Sequence, residues 1–121
     1  MLSDGEGKPL NALEHLYAFA QRYAQLNENT GIDVLRVLFY PSNEWFSMER
    51  PMQLYARRFV ESGQRSGIIR TDISSEEIVG SLFDILRGVC YNWCVCDGGF
   101  DLSERIYFQM KLFCSAIKKN E

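Results

Sequence analysis

The side chains able to do chemistry are few. His15 is the single histidine. A catalytic imidazole needs a nucleophile and an orienting partner within reach. The adjacent Glu14 faces elsewhere on a helix, so His15 reads as a helix-surface or pocket-wall residue. Cys90 and Cys94 stand one helical turn apart, and Cys96 follows. Such thiols can hold a metal or sense oxidants. Their spacing is not a zinc-ribbon pair, and no second Cys/His pair accompanies them. Buried small hydrophobes are the better account, since free cysteines are commonly buried. Glu76, Glu77 and Glu49 sit at helix starts, where carboxylates favour the dipole or cap free N–H groups. There is no phosphate loop, no Gly-x-Ser-x-Gly and no His-Glu-x-x-His. The expectation is a protein without a catalytic site, metal or cofactor.

The elements around these residues read as helices. Of 121 residues, 46% are hydrophobic and 13% aromatic, which excludes a disordered chain. The net charge of −3 comes without a basic block, so the footprint of a nucleic-acid binder is missing. No uninterrupted apolar run approaches the ~18–20 residues that span a membrane. The acidic, Gly-containing N-terminus is unlike a signal peptide, which points to reduced thiols in a cytoplasm.

Residues 1–8 read as a flexible lead-in to one domain over 9–121. Pro9 can open a first helix, whose stripe runs through Leu10, Leu13, Tyr17, Ala20 and Ala24 and should end near Asn27–Asn29. Thr30 or Gly31 starts a short second helix that Pro41 stops. A third begins between Ser47 and Arg50, with Pro51 in its first turn. Met48, Met52, Tyr55, Phe59 and Val60 form its inner face. Gly63 weakens it, and Gly67 suits its end.

The fourth helix opens at Ser74, with Glu77 at the capping-box spacing. Its apolar positions cover an arc of roughly 160–180°, wider than one buried face needs. Asp97-Gly98-Gly99 ends it, and Asp101 with Glu104 caps a fifth helix. The fold class is therefore all-α, an antiparallel bundle of about five helices.

The last two helices carry more apolar surface than one core can use. Leu102, Ile106, Met110, Phe113 and Ile117 make one stripe of the fifth helix. Phe108 and Leu112 fall on roughly the other side. Gly80, Ser81 and Gly88 are small residues that let a neighbouring helix approach. Two such hairpins related by a two-fold axis make a dimeric four-helix bundle, so a homodimer is expected, with Gly80, Ser81, Gly88, Phe108 and Leu112 at its interface. The small residues also suit helix crossings inside one subunit.

Three runs carry a family likeness: FVESGQRSGIIRTDISSEEI (Phe59–Ile78), LFDILRGVCYNW (Leu82–Trp93), and a last helix opening with Asp-Leu and ending FCSAI (Phe113–Ile117). Together they resemble the C-terminal domain of TetR-family (AcrR-like) transcriptional regulators, over residues 10–119. The resemblance implies an effector-binding and dimerisation domain. It implies a small apolar or aromatic ligand in a cavity among the first four helices. Tyr17, Phe19, Tyr23, Phe39, Met48, Met52, Tyr55, Phe83 and Arg87 could line it, although each also suits plain core, and Arg87 could pair with Asp84. The family's N-terminal helix-turn-helix has no counterpart here, so DNA is expected as a partner only through a segment absent from this chain. A ligand-free helical interaction module is the alternative.

Overall fold

The structure, a computed structural model, describes residues 10–39 and 49–120. The first helix, α1, spans Ala12–Thr30. Its start is fixed by Asn11 rather than by Pro9, which lies outside the described residues. The Asn11 side chain accepts from the Glu14 N–H at 2.9 Å, and Glu14 accepts in return from the Asn11 N–H at 3.0 Å. This reciprocal box satisfies two donors that the first turn leaves free. The single residue Gly31 then turns the chain into α2, Ile32–Leu38. Its φ of +88° with ψ of 154° is a conformation essentially reserved for glycine. The expected stop at Pro41 lies outside the described residues.

Helix α3 runs from Arg50 to Arg65, with Pro51 in the first turn as expected. Helix α4 is Ser75–Val95 and α5 is Leu102–Ile117. The Ser74 hydroxyl accepts from the Glu77 N–H at 3.1 Å and donates to the Glu77 carboxylate at 3.2 Å. Only half of the expected box therefore forms, because Glu77 takes the hydroxyl rather than the backbone N–H. Asp101 accepts from the Glu104 N–H at 2.9 Å. At the end of α4, the Gly98 N–H, in a backbone with φ of +77°, closes onto the Trp93 carbonyl at 2.9 Å.

Helices α1, α3, α4 and α5 form a four-membered ring, and α2 lies across α1 and α4. Glu28 near the end of α1 accepts from Ser103 at the start of α5, so these helices run antiparallel. Past the end of α5, the Lys119 N–H meets the Ile68 carbonyl and the Arg70 N–H meets the Ile117 carbonyl, both at 2.9 Å. This pair of bonds places the end of α5 beside the entry to α4, so the last two helices are also antiparallel. No strand occurs among the described residues; Ile69 and Lys118 form an isolated bridge.

The core holds Leu16, Val60, Leu82, Phe83, Leu86 and Met110, all essentially sealed from solvent. Gly63 has a packing role in it. A Cβ there would stand 2.5 Å from Ile69 Cδ1 and 2.8 Å from Ala12 Cβ, so α1 and α3 meet at a point only glycine fits. Length and composition alone make α4 apolar enough to cross a membrane. The charged Glu76, Glu77, Asp84 and Arg87 interrupt it, and its buried residues from Ile78 to Cys94 pack as protein core.

Candidate functional site

One charged group is fully enclosed. Glu49 directly precedes α3 and has 0% exposure. The Tyr23 hydroxyl of α1 donates to its Oε2 at 2.7 Å. The Arg87 Nε of α4 donates to its Oε1 at 2.6 Å. Phe83 packs against both donors: its ring meets Tyr23 edge-on at 6.1 Å, and the Arg87 guanidinium stands 5.8 Å from its centroid. Three helices are thus joined through one carboxylate. Such a charge is tolerated inside only because both oxygens receive hydrogen bonds. Burial, and after it the negative charge of Glu49, pushes the Tyr23 phenol far above its ordinary value. Tyr23 therefore stays a donor throughout the neutral range.

Two sequence expectations are corrected here. Glu49 caps nothing with its side chain, although it sits at a helix start. Arg87 pairs with Glu49, 38 residues away, rather than with the exposed Asp84.

The expected lining residues divide. Phe19, Tyr23, Phe83 and Arg87 come together, with Phe19 tilted against Phe83 at 5.8 Å. Tyr55 sits at the edge of this group, 6.2 Å from Phe19 and half-exposed. Met52 is partly buried against the core. Tyr17 is elsewhere: it faces α5, with its ring 5.6 Å from Tyr107. Phe39 packs against the core and meets Tyr91, one turn after Arg87, edge-on at 5.8 Å. Met48 lies outside the described residues.

His15 stacks flat on Phe59, centroids 4.5 Å apart. Both line a recess of about 30 Å³ with Phe19 and Tyr55, room for little more than one water molecule. A larger surface groove of about 250 Å³ lies between α3 and α4, with Arg50, Leu54, Arg57, Val79 and Gly80 on its walls. Cys90, Cys94 and Cys114 are buried and Cys96 is exposed. Burial pushes the Cys90 thiol up to about 12 and the Cys114 thiol up to about 11. These are protonated core thiols. No group of three metal-ligating His, Cys, Asp or Glu side chains converges among the described residues.

Phe108 and Leu112 are 55% and 56% exposed, one turn apart on the outside of α5. Ser81 and Gly88 lie on the outer side of α4, where Val95 is 64% exposed. Gly80 is about 80° round the helix from Gly88 and borders the α3 groove instead. Neither glycine has a neighbour within 4 Å of a built Cβ.

No protein-family model matches the chain, and no curated protein or solved structure is significantly similar to it.

Proposed function

We propose that this chain is the effector-binding and dimerisation domain of a TetR-type transcriptional regulator. The observation that carries the reading is the antiparallel α4–α5 hairpin with Phe108 and Leu112 turned outward. A pair of large apolar side chains on one helix face, beside an open Ser81–Gly88 edge, suits a second copy related by a two-fold axis. Neighbouring helices α1 and α3 bring Phe19, Tyr23 and Tyr55 around Phe83, an aromatic environment suited to a small apolar or aromatic effector. Such an effector acts by binding one arrangement of the dimer better than another. The difference in affinity is felt by a DNA-reading segment outside this sequence, and reciprocity makes DNA oppose the effector equally.

The test is the mass in solution at micromolar concentration. Light scattering should give twice the 14.0 kDa chain mass, and a Phe108→Glu, Leu112→Glu double variant should give the chain mass itself. A monomeric unaltered chain rejects the reading. A ligand-free interaction module is the second reading, favoured by the tight enclosure of Leu82, Phe83 and Leu86. It predicts a dimer whose melting temperature no apolar compound raises.

A further inference from the structure

Helix α3 carries four arginines against one glutamate, a surplus of three positive charges on a chain whose net charge is −3. We propose that the groove between α3 and α4 docks an acidic amphipathic helix of a partner protein, with an apolar side chain seated beside Leu54 and Gly80. The docking does not depend on the effector-binding reading above.

The arginines form a row. Arg50 and Arg57 are seven residues apart, as are Arg58 and Arg65, and all four fall within an arc of about 100° on α3. Leu54 lies inside that arc and is 51% exposed, an apolar side chain set among charges. Among the described residues only Arg57 of the four is in an ion pair, with Glu61 at 3.0 Å. The other three guanidiniums keep all their donors for an outside partner. Leu54 also borders the groove of about 250 Å³. Arg50 and Arg57 wall it from α3, and Glu76, Val79 and Gly80 wall it from α4. A Cβ at Gly80 would meet nothing within 4 Å, so the α4 wall is open at that point.

Size and charge select the occupant. The groove is smaller than the ~300–1,000 Å³ of ordinary small-molecule sites, so it suits a single anchoring side chain. The arginine row is longer: it runs the length of α3, about 22 Å, and only an extended partner meets all of it. Residues seven apart on a partner helix recur on one face. A helix laid along α3 therefore brings carboxylates to Arg50 and Arg57, or to Arg58 and Arg65, while an apolar residue enters the groove beside Leu54. A duplex nucleic acid matches less well, because it is charged on every side and Glu76 on the α4 wall repels its phosphates. Glu76 also gives direction: the partner helix is acidic on its α3 side only. Helix α5 lies across the ring from α3, so Phe108 and Leu112 stay free for a second copy.

Fluorescence anisotropy with the full chain tests the docking. The probe is a labelled, alanine-based helical peptide of about 15 residues, with leucines on one face and glutamates seven positions apart beside them. It should bind, and more weakly as salt rises. Its counterpart with glutamine for every glutamate should bind about tenfold more weakly. Arg50→Gln with Arg58→Gln, neither of which is in an ion pair, should weaken the glutamate peptide about fivefold. Gly80→Leu places a side chain where the chain itself has room for one, so it should keep the fold, fill the groove and weaken binding about tenfold. Phe108→Glu with Leu112→Glu should leave binding unchanged. Circular dichroism of each variant confirms a helical fold before titration. Failure of the peptide to bind, equal binding of the glutamine peptide, or full-strength binding to Gly80→Leu overturns the docking groove. Loss of binding in the Phe108, Leu112 variant moves the peptide to the α5 face and overturns it too, as does tighter binding of a DNA duplex of equal length.

Discussion

Arg87, midway along α4, reaches the carboxylate of Glu49 at 2.6 Å and so joins α4 to the residue that opens α3. Tyr23 completes the join from α1 at 2.7 Å. The three side chains hold the ring of helices together at a point where apolar packing is replaced by polar contacts. Removing the carboxylate takes its acceptor from the buried Tyr23 phenol and one acceptor from the part-buried Arg87 guanidinium. Glu49→Ala should therefore cost about 3 kcal/mol of stability, and Tyr23→Phe about 1 kcal/mol. Chemical denaturation of the single variants measures both. A Glu49→Ala loss below that of Tyr23→Phe contradicts the central position of the carboxylate.

The glycines of the bundle should separate by context. Gly63→Ala forces a methyl group to within 2.5 Å of Ile69 Cδ1, so it should destabilise by about 1–3 kcal/mol despite the better helix propensity of alanine. Gly88→Ala meets nothing within 4 Å in one chain and should add up to about 1 kcal/mol to the stability of a monomer. On the homodimer reading the same methyl group weakens association. Unfolding measured over a range of chain concentrations separates the two effects.

Thiol labelling should be selective. Only Cys96 of the four cysteines is exposed. A disulfide reagent near neutral pH should modify one thiol per folded chain rapidly and all four after denaturation. Fast modification of two or more in the folded protein contradicts the enclosure of Cys90, Cys94 and Cys114.

Alkaline conditions should loosen the fold. Burial holds the Cys90 thiol up to about 12 and the Cys114 thiol up to about 11, whereas an unfolded thiol titrates near ~8.5. A folded value above the unfolded one contributes stability that is complete below the unfolded value and lost as pH rises through the folded one. Tyr23 acts with the same sign above the ordinary phenol value. The melting temperature should hold level up to about pH 8.5 and fall between there and about pH 12. Cys90→Ala should flatten the fall; an unchanged slope contradicts the assignment to that thiol.

The helices were legible because their signals are local. Ser74 and Asp101 with their partners three residues on, Pro51 near a helix start and Gly98 past a helix end each act within a turn of chain. Asn11 and Glu14 carry the same spacing, but the Pro9 signal two residues earlier obscures it. Wheel geometry alone separates Tyr17 from Tyr23, which lie about 120° apart on α1. The Glu49 site was not legible. Its bonds to Tyr23 and Arg87 join residues 26 and 38 apart, and no periodicity within one helix encodes where three helices cross. Gly63 was legible as a weak helix residue, while its contact with Ile69 depends on how the link after α3 folds back.

That fold-back sets a schedule for synthesis. The link between α3 and α4 is secured by Arg70 bonding to Ile117 at the end of α5 and by Ile68 bonding to Lys119 just past it, and α1 packs against α5. A nascent chain that has emerged only as far as α4 has no partner for either. Lys119 must leave the ribosome before the ring can shut, so a growing polypeptide of this kind shows its greasy interior to chaperones until α5 has emerged.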